Sequence, residues 1–369
     1  MSEIAKAAQL SSGPLYARFE SLDDLVQELF EQVVAGHFGY LVSLVNRVVI
    51  DGDDEARRDL LRELKRPSDL SIALVEILAV ARRYPITAEL VRVSMNEQLD
   101  TIFDRGRKAN YTVPLNTLLG ALFLFPMLTK VEHSRFGELL DLVSTMARND
   151  DVSLERASAV QAVAIPLPHI DGAHDLIAVM SNAAFKVVSQ VGFEKATANR
   201  LSRAAGRDFS QTYGQFTSKE VLMDVITAAH MSQMVAMSLT PFFGLDRGDY
   251  VRRSTANGAA LCAEVNRPYR QLRIETVLAG RHHPSITDSI TKEFSKSRTH
   301  FRTLVSDTFP SDVESLELAA QLVWLAIRCN SFGTSLICSS TSQFEKLDWS
   351  PASSALFDVL VDRGLARES

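Results

Sequence analysis

The sequence predicts an all-α protein, and three observations carry that expectation. Apolar residues recur at three- and four-residue spacing along most of the chain, the period of a helix with one buried face. The breaks between these runs fall at prolines or polar turns, and no run alternates convincingly with the period of two that a strand requires. The third observation divides the chain, because one motif occurs twice. Ile4 to Ala8 leads to Tyr16, Phe19, Ser21 and Leu25; Leu201 to Ala205 leads to Tyr213, Phe216, Ser218 and Leu222. Ala7/Ala204, Ala8/Ala205, Tyr16/Tyr213, Phe19/Phe216, Ser21/Ser218 and Leu25/Leu222 are identical pairs at a constant offset of 197. A period that long is the length of a domain and not of a solenoid repeat.

The elements follow in order. Residues 1–28 hold the first copy of the motif. A helix from Leu22 to Val49 places Leu25, Val26, Leu29, Phe30, Val33 and Val34 on one side. Leu60–Leu64, Leu70–Ala81, Thr87–Phe103, Leu115–Leu128 and Phe136–Met146 continue the pattern, with breaks at Gly52, Arg66-Pro67, Tyr84-Pro85 and Val113-Pro114. These helices make a body over 29–163. Residues 164–172 form a linker, since Pro166 and Pro168 resist helix.

Residues 173–227 hold the second copy. A helix from Ala183 to Val191 puts Ala184, Val187, Val188 and Val191 on one face, and Gly192 stops it as a left-handed C-cap. Thr197 caps a helix from Ala198 to Ala205, which ends at Gly206; Asp208 caps a third from Phe209 to Phe216. A helix, a Gly-containing turn and a short helix is the layout of a helix-turn-helix, whose second helix enters the major groove. A second helical body occupies 228–369. Its duplication extends past the motif: Glu76, Arg82 and Pro85 return as Glu275, Arg281 and Pro284 at offset 199.

On these residues the chain resembles the TetR family of transcriptional regulators. Ala184, Gly192-Phe193, Thr197, Leu201, Ala205-Gly206, Tyr213, Phe216 and Lys219 to Leu222 match that family's DNA-binding head over about forty residues; the first copy matches from Ile4 to Leu25. The resemblance implies a fold of two units, each a head plus a helical effector-binding body, joined as an intramolecular pseudo-dimer. It implies base contacts by Arg207, Asp208, Phe209, Ser210, Gln211 and Thr212, and phosphate contacts by Thr197, Tyr213 and Lys219. In the first copy the matching positions are Ser11, Ser12, Gly13, Pro14 and Leu15, then Tyr16. The implied partners are a double-stranded DNA operator and a small apolar effector. The first copy departs from the pattern: it lacks the head's first helix, carries Gln9 at the turn glycine and Leu22 at the phosphate lysine.

Charge separates the two copies. Between Ala183 and Leu222 six Lys/Arg face three acids, a balance of +3; between Met1 and Glu28 two face five, a balance of −3. A phosphate backbone favours the second. The net charge of −6 disfavours a chain coated in nucleic acid, not a local basic reading surface.

Other classes find no support. No Gly-rich phosphate loop, nucleophile elbow or HExxH occurs, so no enzyme and no cofactor is expected. His282-His283 reads as a helix end rather than a metal site, since adjacent side chains diverge by about 100° on a helix. Met1-Ser2-Glu3 has no basic n-region and no apolar h-region follows, and Cys262, Cys329 and Cys338 lack CxxC spacing. These features predict a cytoplasmic protein with three buried thiols and no membrane partner. The aromatic and Met residues of the bodies (Met95, Phe103, Phe123, Phe125, Phe294, Phe301, Trp324, Phe332) read mostly as core, a subset lining an effector pocket.

Two substitutions distinguish base reading from phosphate grip. Gln211→Ala should cost ~1–3 kcal/mol on the specific site and blur one base position, because an amide pairs bidentately with adenine. Lys219→Ala should weaken all sequences alike and lower the salt slope by about one. Titrations on specific and random DNA across salt check both.

Overall fold

A computed structural model describes residues 1–9, 11–103, 108–148, 164–172, 175–208, 221, 224–225, 227–228, 246–308 and 313–363, and every regular element among them is helical. In the first half these are α1 (Ser2–Ala7), α2 (Ser12–Arg18), α3 (Leu22–Asp51), α4 (Asp54–Lys65), α5 (Asp69–Val80), α6 (Pro85–Phe103), α7 (Lys108–Leu124), α8 (Lys130–Ser134) and α9 (Phe136–Arg148). The second half gives α10 (Leu176–Val191), α11 (Ala198–Ala205), α12 (Arg247–Cys262), α13 (Arg267–His282), α14 (Pro284–Thr308), α15 (Val313–Ser340) and α16 (Ser350–Asp362).

Side-chain chemistry sets the boundaries. Ser21 and Asp24 form a reciprocal capping box at the start of α3. Gly52 ends that helix in the left-handed conformation (φ 65°, ψ 29°), and the Asp53 carboxylate then accepts from the amides of Glu55 and Ala56 to start α4. Ser68, Asp175 and Asp246 cap α5, α10 and α12 in the same way. Pro85 and Pro284 open α6 and α14, where a missing N–H costs nothing.

One expected break is absent. Pro114 lies inside α7, so the predicted interruption at Val113-Pro114 is corrected to a continuous helix. Residues 112–124 of α7 are buried without exception, and that burial outweighs the ~3 kcal/mol that an interior proline costs. The prolines of the linker behave as expected: residues 164–172 form no helix. The linker is pinned to the second half, where Asn266 accepts from the Ile165 amide at 2.6 Å and Asn182 exchanges two hydrogen bonds with the Ile170 backbone.

The order of elements repeats. After the corner at Tyr84-Pro85, α6 and α7 lead to α9; after His283-Pro284, α14 and α15 lead to α16. α7 and α9 of the first half pack with α15 and α16 of the second in a four-helix arrangement, and one buried cluster runs through both halves. α3 and the Glu317–Ser340 part of α15 are long and apolar enough to cross a membrane by length and composition; 78% of the most apolar window of α15 is buried in protein here.

The closest approach of the halves is backbone on backbone. A Cβ at Gly120 of α7 would stand 1.8 Å from the Cys329 carbonyl oxygen, and one at Gly333 of α15 would stand 1.7 Å from that of Asn116. Each glycine therefore faces the carbonyl lying four residues before the other, a reciprocal contact. Beside it, buried Asn116 donates from Nδ2 to Thr334 Oγ1 at 2.9 Å.

Gly120→Ala and Gly333→Ala should each destabilise by ~3 kcal/mol or more, since backbone cannot yield as a side chain can. Gly36→Ala in α3 meets nothing within 4 Å and should instead stabilise by about 0.5–1 kcal/mol. Urea midpoints of the three variants test the contrast.

Candidate functional site

In the second copy, α10 begins seven residues earlier than the Ala183 start expected from sequence, capped by Asp175. Its buried face includes Ala184, Val187 and Val188, with Val191 half-buried. Gly192 has the expected positive φ of 82°, but its ψ of 164° is extended, so it is not the left-handed cap anticipated. The chain instead turns inward there, burying Phe193 and giving its amide to the Glu275 carboxylate at 3.1 Å. Thr197 caps α11 through Oγ1, which accepts from the Arg200 amide at 3.4 Å, and Gly206 ends it in the left-handed conformation (φ 63°, ψ 34°). Arg207 and Asp208 follow, both exposed. Lys186, Lys195, Arg200, Arg203 and Arg207 are all exposed, and none of them forms an ion pair among the described residues. Phe209, Ser210, Gln211, Thr212, Tyr213 and Lys219 lie outside the described residues.

The first copy keeps the same turn with the wrong residue. Gln9, at the position of Gly206, takes φ 56°, the one positive φ at a non-glycine among the described residues. Ser11 occupies the N-cap of α2 with extended backbone and no side-chain cap bond, and Ser12 is the first helical residue. Gly13, Pro14 and Tyr16 are exposed, Tyr16 at 56%, while Leu15 turns inward. Part of the acidic excess has structural work: Asp24 belongs to the α3 capping box, Asp23 accepts from Thr87 Oγ1 at 2.7 Å, and Glu28 pairs with Arg18 at 3.0 Å.

Both recurring glutamates meet an arginine of the other half, Glu76 the recurring Arg281 and Glu275 the neighbour of the recurring Arg82. Arg281 of α13 donates from Nε to Glu76 of α5 at 3.0 Å and from Nη1 to the carbonyls of Leu122 and Phe123 that end α7. In return, Arg83 of the first half grips Glu275 of α13 through Nη2. Glu275 is fully buried and also accepts from Gln271 Nε2 at 2.9 Å. A Cβ at Gly192 would stand 2.6 Å from Arg83 Nη2, so the glycine admits this pair against the end of α10. Arg82 reaches the Ser189 carbonyl of the same helix, and burial lowers its guanidinium to about 10, with the Glu275 charge opposing. His282 and His283 diverge onto Glu76 and Glu194.

A cavity of about 170 Å³ opens between α12, α13, α15 and α16, with Val113, Val143 and Met146 of the first half closing one side. Its polar lining includes Tyr269, Arg273, Asn330, Ser331 and Trp349, with Asn257 and the hydroxyls of Thr117, Ser254, Thr334 and Ser353. Arg273 is 3% exposed; its Nη2 donates to Ser331 Oγ, its guanidinium lies 4.4 Å from the Phe332 ring centroid, and its Nε is buried without a partner. Arg328, equally buried, donates to Ser297 Oγ at 2.7 Å. Neither arginine pairs with a carboxylate among the described residues. Burial, then the neighbouring Arg273 charge, lower Arg328 to about 10. At neutral pH both stay charged, and burying such an ion without a counter-charge costs roughly several kcal/mol.

Sequence reasoning did not single out these arginines. The described aromatics it considered are core or, for Phe125, half-buried, and none lines the cavity; the Phe103 side chain lies outside the described residues. The signal was available in the duplication: at offset 199, Leu74-Val75-Glu76 returns as Arg273-Ile274-Glu275, placing a charge where the first half buries Leu74. Compared with family models and with curated proteins, the chain matches none of either.

Arg83→Met should leave Glu275 buried and uncompensated, lowering stability by about 3–5 kcal/mol. The double variant with Glu275→Met should recover most of that loss. A double-mutant cycle in urea, together with protease sensitivity at the linker, reads both effects.

Proposed function

We propose that this chain is a sequence-specific DNA-binding transcriptional regulator of the TetR type, two head-and-body units fused into an intramolecular pseudo-dimer. The observation that carries the reading is the recurrence of one turn. Gln9 after α1 and Gly206 after α11, 197 residues apart, both take positive φ (56° and 63°), and the second is flanked by exposed cations that form no ion pair among the described residues. The reciprocal glycine contact of α7 and α15 supports the pseudo-dimer, since equivalent helices of two like subunits meet this way about a twofold axis.

In this reading Arg207, Asp208, Phe209, Ser210, Gln211 and Thr212 read bases, while Thr197, Tyr213 and Lys219 hold phosphates. Ser11, Ser12, Gly13, Pro14 and Tyr16 present the first copy's surface. Thr197 Oγ1 already accepts the α11 capping bond, so it contacts a phosphate only by donating its hydroxyl proton. Fusion gives each half a high effective concentration of the other, and frees the two reading helices to diverge. An effector bound in the body shifts the population between head spacings that fit DNA and those that do not, by its differential affinity and no more. Repression relieved by the effector is the favoured sign.

The acidic first copy favours a second reading, a helical ligand-binding or protein-interaction module that has lost DNA binding. Gel shifts on genomic fragments at low and moderate salt separate the two. A selection from random duplex should return unlike half-sites about one helical turn apart or slightly more. A perfect palindrome would refute the fused-and-diverged reading, and no retention at any salt would favour the module.

A further inference from the structure

The cavity between α12, α13, α15 and α16 holds a charge with no carboxylate to oppose it among the described residues. Arg273 lines that cavity, and of its donors only Nη2 has a partner among the described residues, the neutral hydroxyl of Ser331. Arg328 stands behind it with hydroxyl and ring contacts alone. Trp349, also on the lining, has a buried indole N–H without a partner. The remaining lining is mostly apolar surface, from Val113, Val143, Met146, Ile327 and Leu356 among others, with amides of Asn257 and Asn330 and hydroxyls of Thr117, Ser254, Thr334 and Ser353 interspersed. A mostly apolar chamber with converging unpaired donors and two positive charges fits a molecule with an apolar body and an anionic end.

Size narrows the class. A protein cavity of about 150 Å³ takes benzene, so about 170 Å³ suits a body of that size with a carboxylate attached. A planar guanidinium matches a carboxylate bidentately. The first half does not repeat this anchor: Leu74, buried, stands where Arg273 does. At the offset of 213 set by Gly120 and Gly333, Leu115 likewise stands where Arg328 does.

We infer that the second half binds one small monocarboxylate with an apolar body, of benzoate or hexanoate size, its carboxylate on Arg273. Resting on the regulatory reading above, this ligand is the effector. Arg273 lies half a turn from Glu275 on α13, and Glu275 holds both the Phe193 amide below the second head and Arg83 of the first half. Charge neutralised at Arg273 is therefore felt on the helix that seats the head.

Benzoate, hexanoate, benzamide, benzyl alcohol and benzylammonium are titrated into the full chain, followed by Trp349 fluorescence and by calorimetry. Benzoate and hexanoate should bind at one molecule per chain, the neutral isosteres at least tenfold more weakly, and benzylammonium more weakly still. Arg273→Leu, which copies the first half, should lower benzoate affinity at least tenfold, leave benzyl alcohol within threefold, and melt no earlier than the parent. Equal affinity for benzoate and benzyl alcohol, two molecules per chain, no binding of either acid, or unchanged benzoate binding by Arg273→Leu overturns the assignment. The ligand comparison on the unaltered chain stands whether or not the variant folds. Gel shifts with and without benzoate form the separate arm: binding as stated with no effect on any DNA complex leaves the carboxylate site intact and removes the regulatory reading.

Discussion

The arrangement of the two halves depends on one steric fact, that α7 and α15 touch through their backbones. At Gly120 and Gly333 no side chain of any size fits, and each glycine lies against a carbonyl on the other helix. Such a contact has no tolerance for sliding, because moving either helix by one residue would bring a Cβ onto a carbonyl. The crossing thus sets where α9 and α16 can lie, and where the corners at Arg83 and Arg281 meet Glu275 and Glu76. Two independent kinds of interaction, close-packed backbone and exchanged ion pairs, specify the same relative placement. That agreement across levels is what selects one packing from many that a helix-rich, apolar chain could adopt.

α13 is the element through which the parts communicate. Along little more than three turns it carries Tyr269 and Arg273 on the cavity, Glu275 at the Phe193 amide, and Arg281 at the end of α7. Its residues from Tyr269 to Gly280 are all buried, polar ones included, so it cannot rotate without breaking several charged contacts together. A helix held this way has few arrangements, which makes it suited to switching between discrete positions and unsuited to drifting. The buried charge at Arg273 matters for the same reason. An ion left without a counter-charge weakens the resting position, so a ligand that neutralises it changes the balance by a large share of a domain's stability.

Much of this was legible in residue order, and the rest was not for physical reasons. The helices, the linker, the Gly52 and Gly206 stops and the Thr197 cap depend on neighbours within a few residues, and local chemistry writes them directly. Pro114 misled because its penalty is local while the burial that overrides it comes from α15 and α9. Gly192 was marked for its positive φ, but its ψ follows from Glu275, more than eighty residues away. Gly120 and Gly333 look like ordinary helical glycines until their partners are known. Arg273 lies in a run with two other cations, Arg267 and Arg270, where a solvated face is the natural first reading; only comparison with Leu74 marks it as buried.

On the proposed reading of two like units, the differences between the halves fall where a fused pair gains most from them. The framework residues stayed alike: Glu76 and Glu275, Arg82 and Arg281, Pro85 and Pro284. The positive φ recurs as well, at Gln9 and at Gly206, with a strain at Gln9 that the glycine avoids. What differs is the charge balance of the two motif copies, and the buried position that is Leu74 in one half and Arg273 in the other. A homodimer cannot make such changes singly, since every substitution appears twice, and a buried arginine would burden both subunits. In a fused chain one half can bear the unfavourable ion while the other keeps a saturated apolar core. The intact leucine core of the first half, closed over the cavity by Val113, Val143 and Met146, is then what lets the second half carry Arg273 without losing the fold.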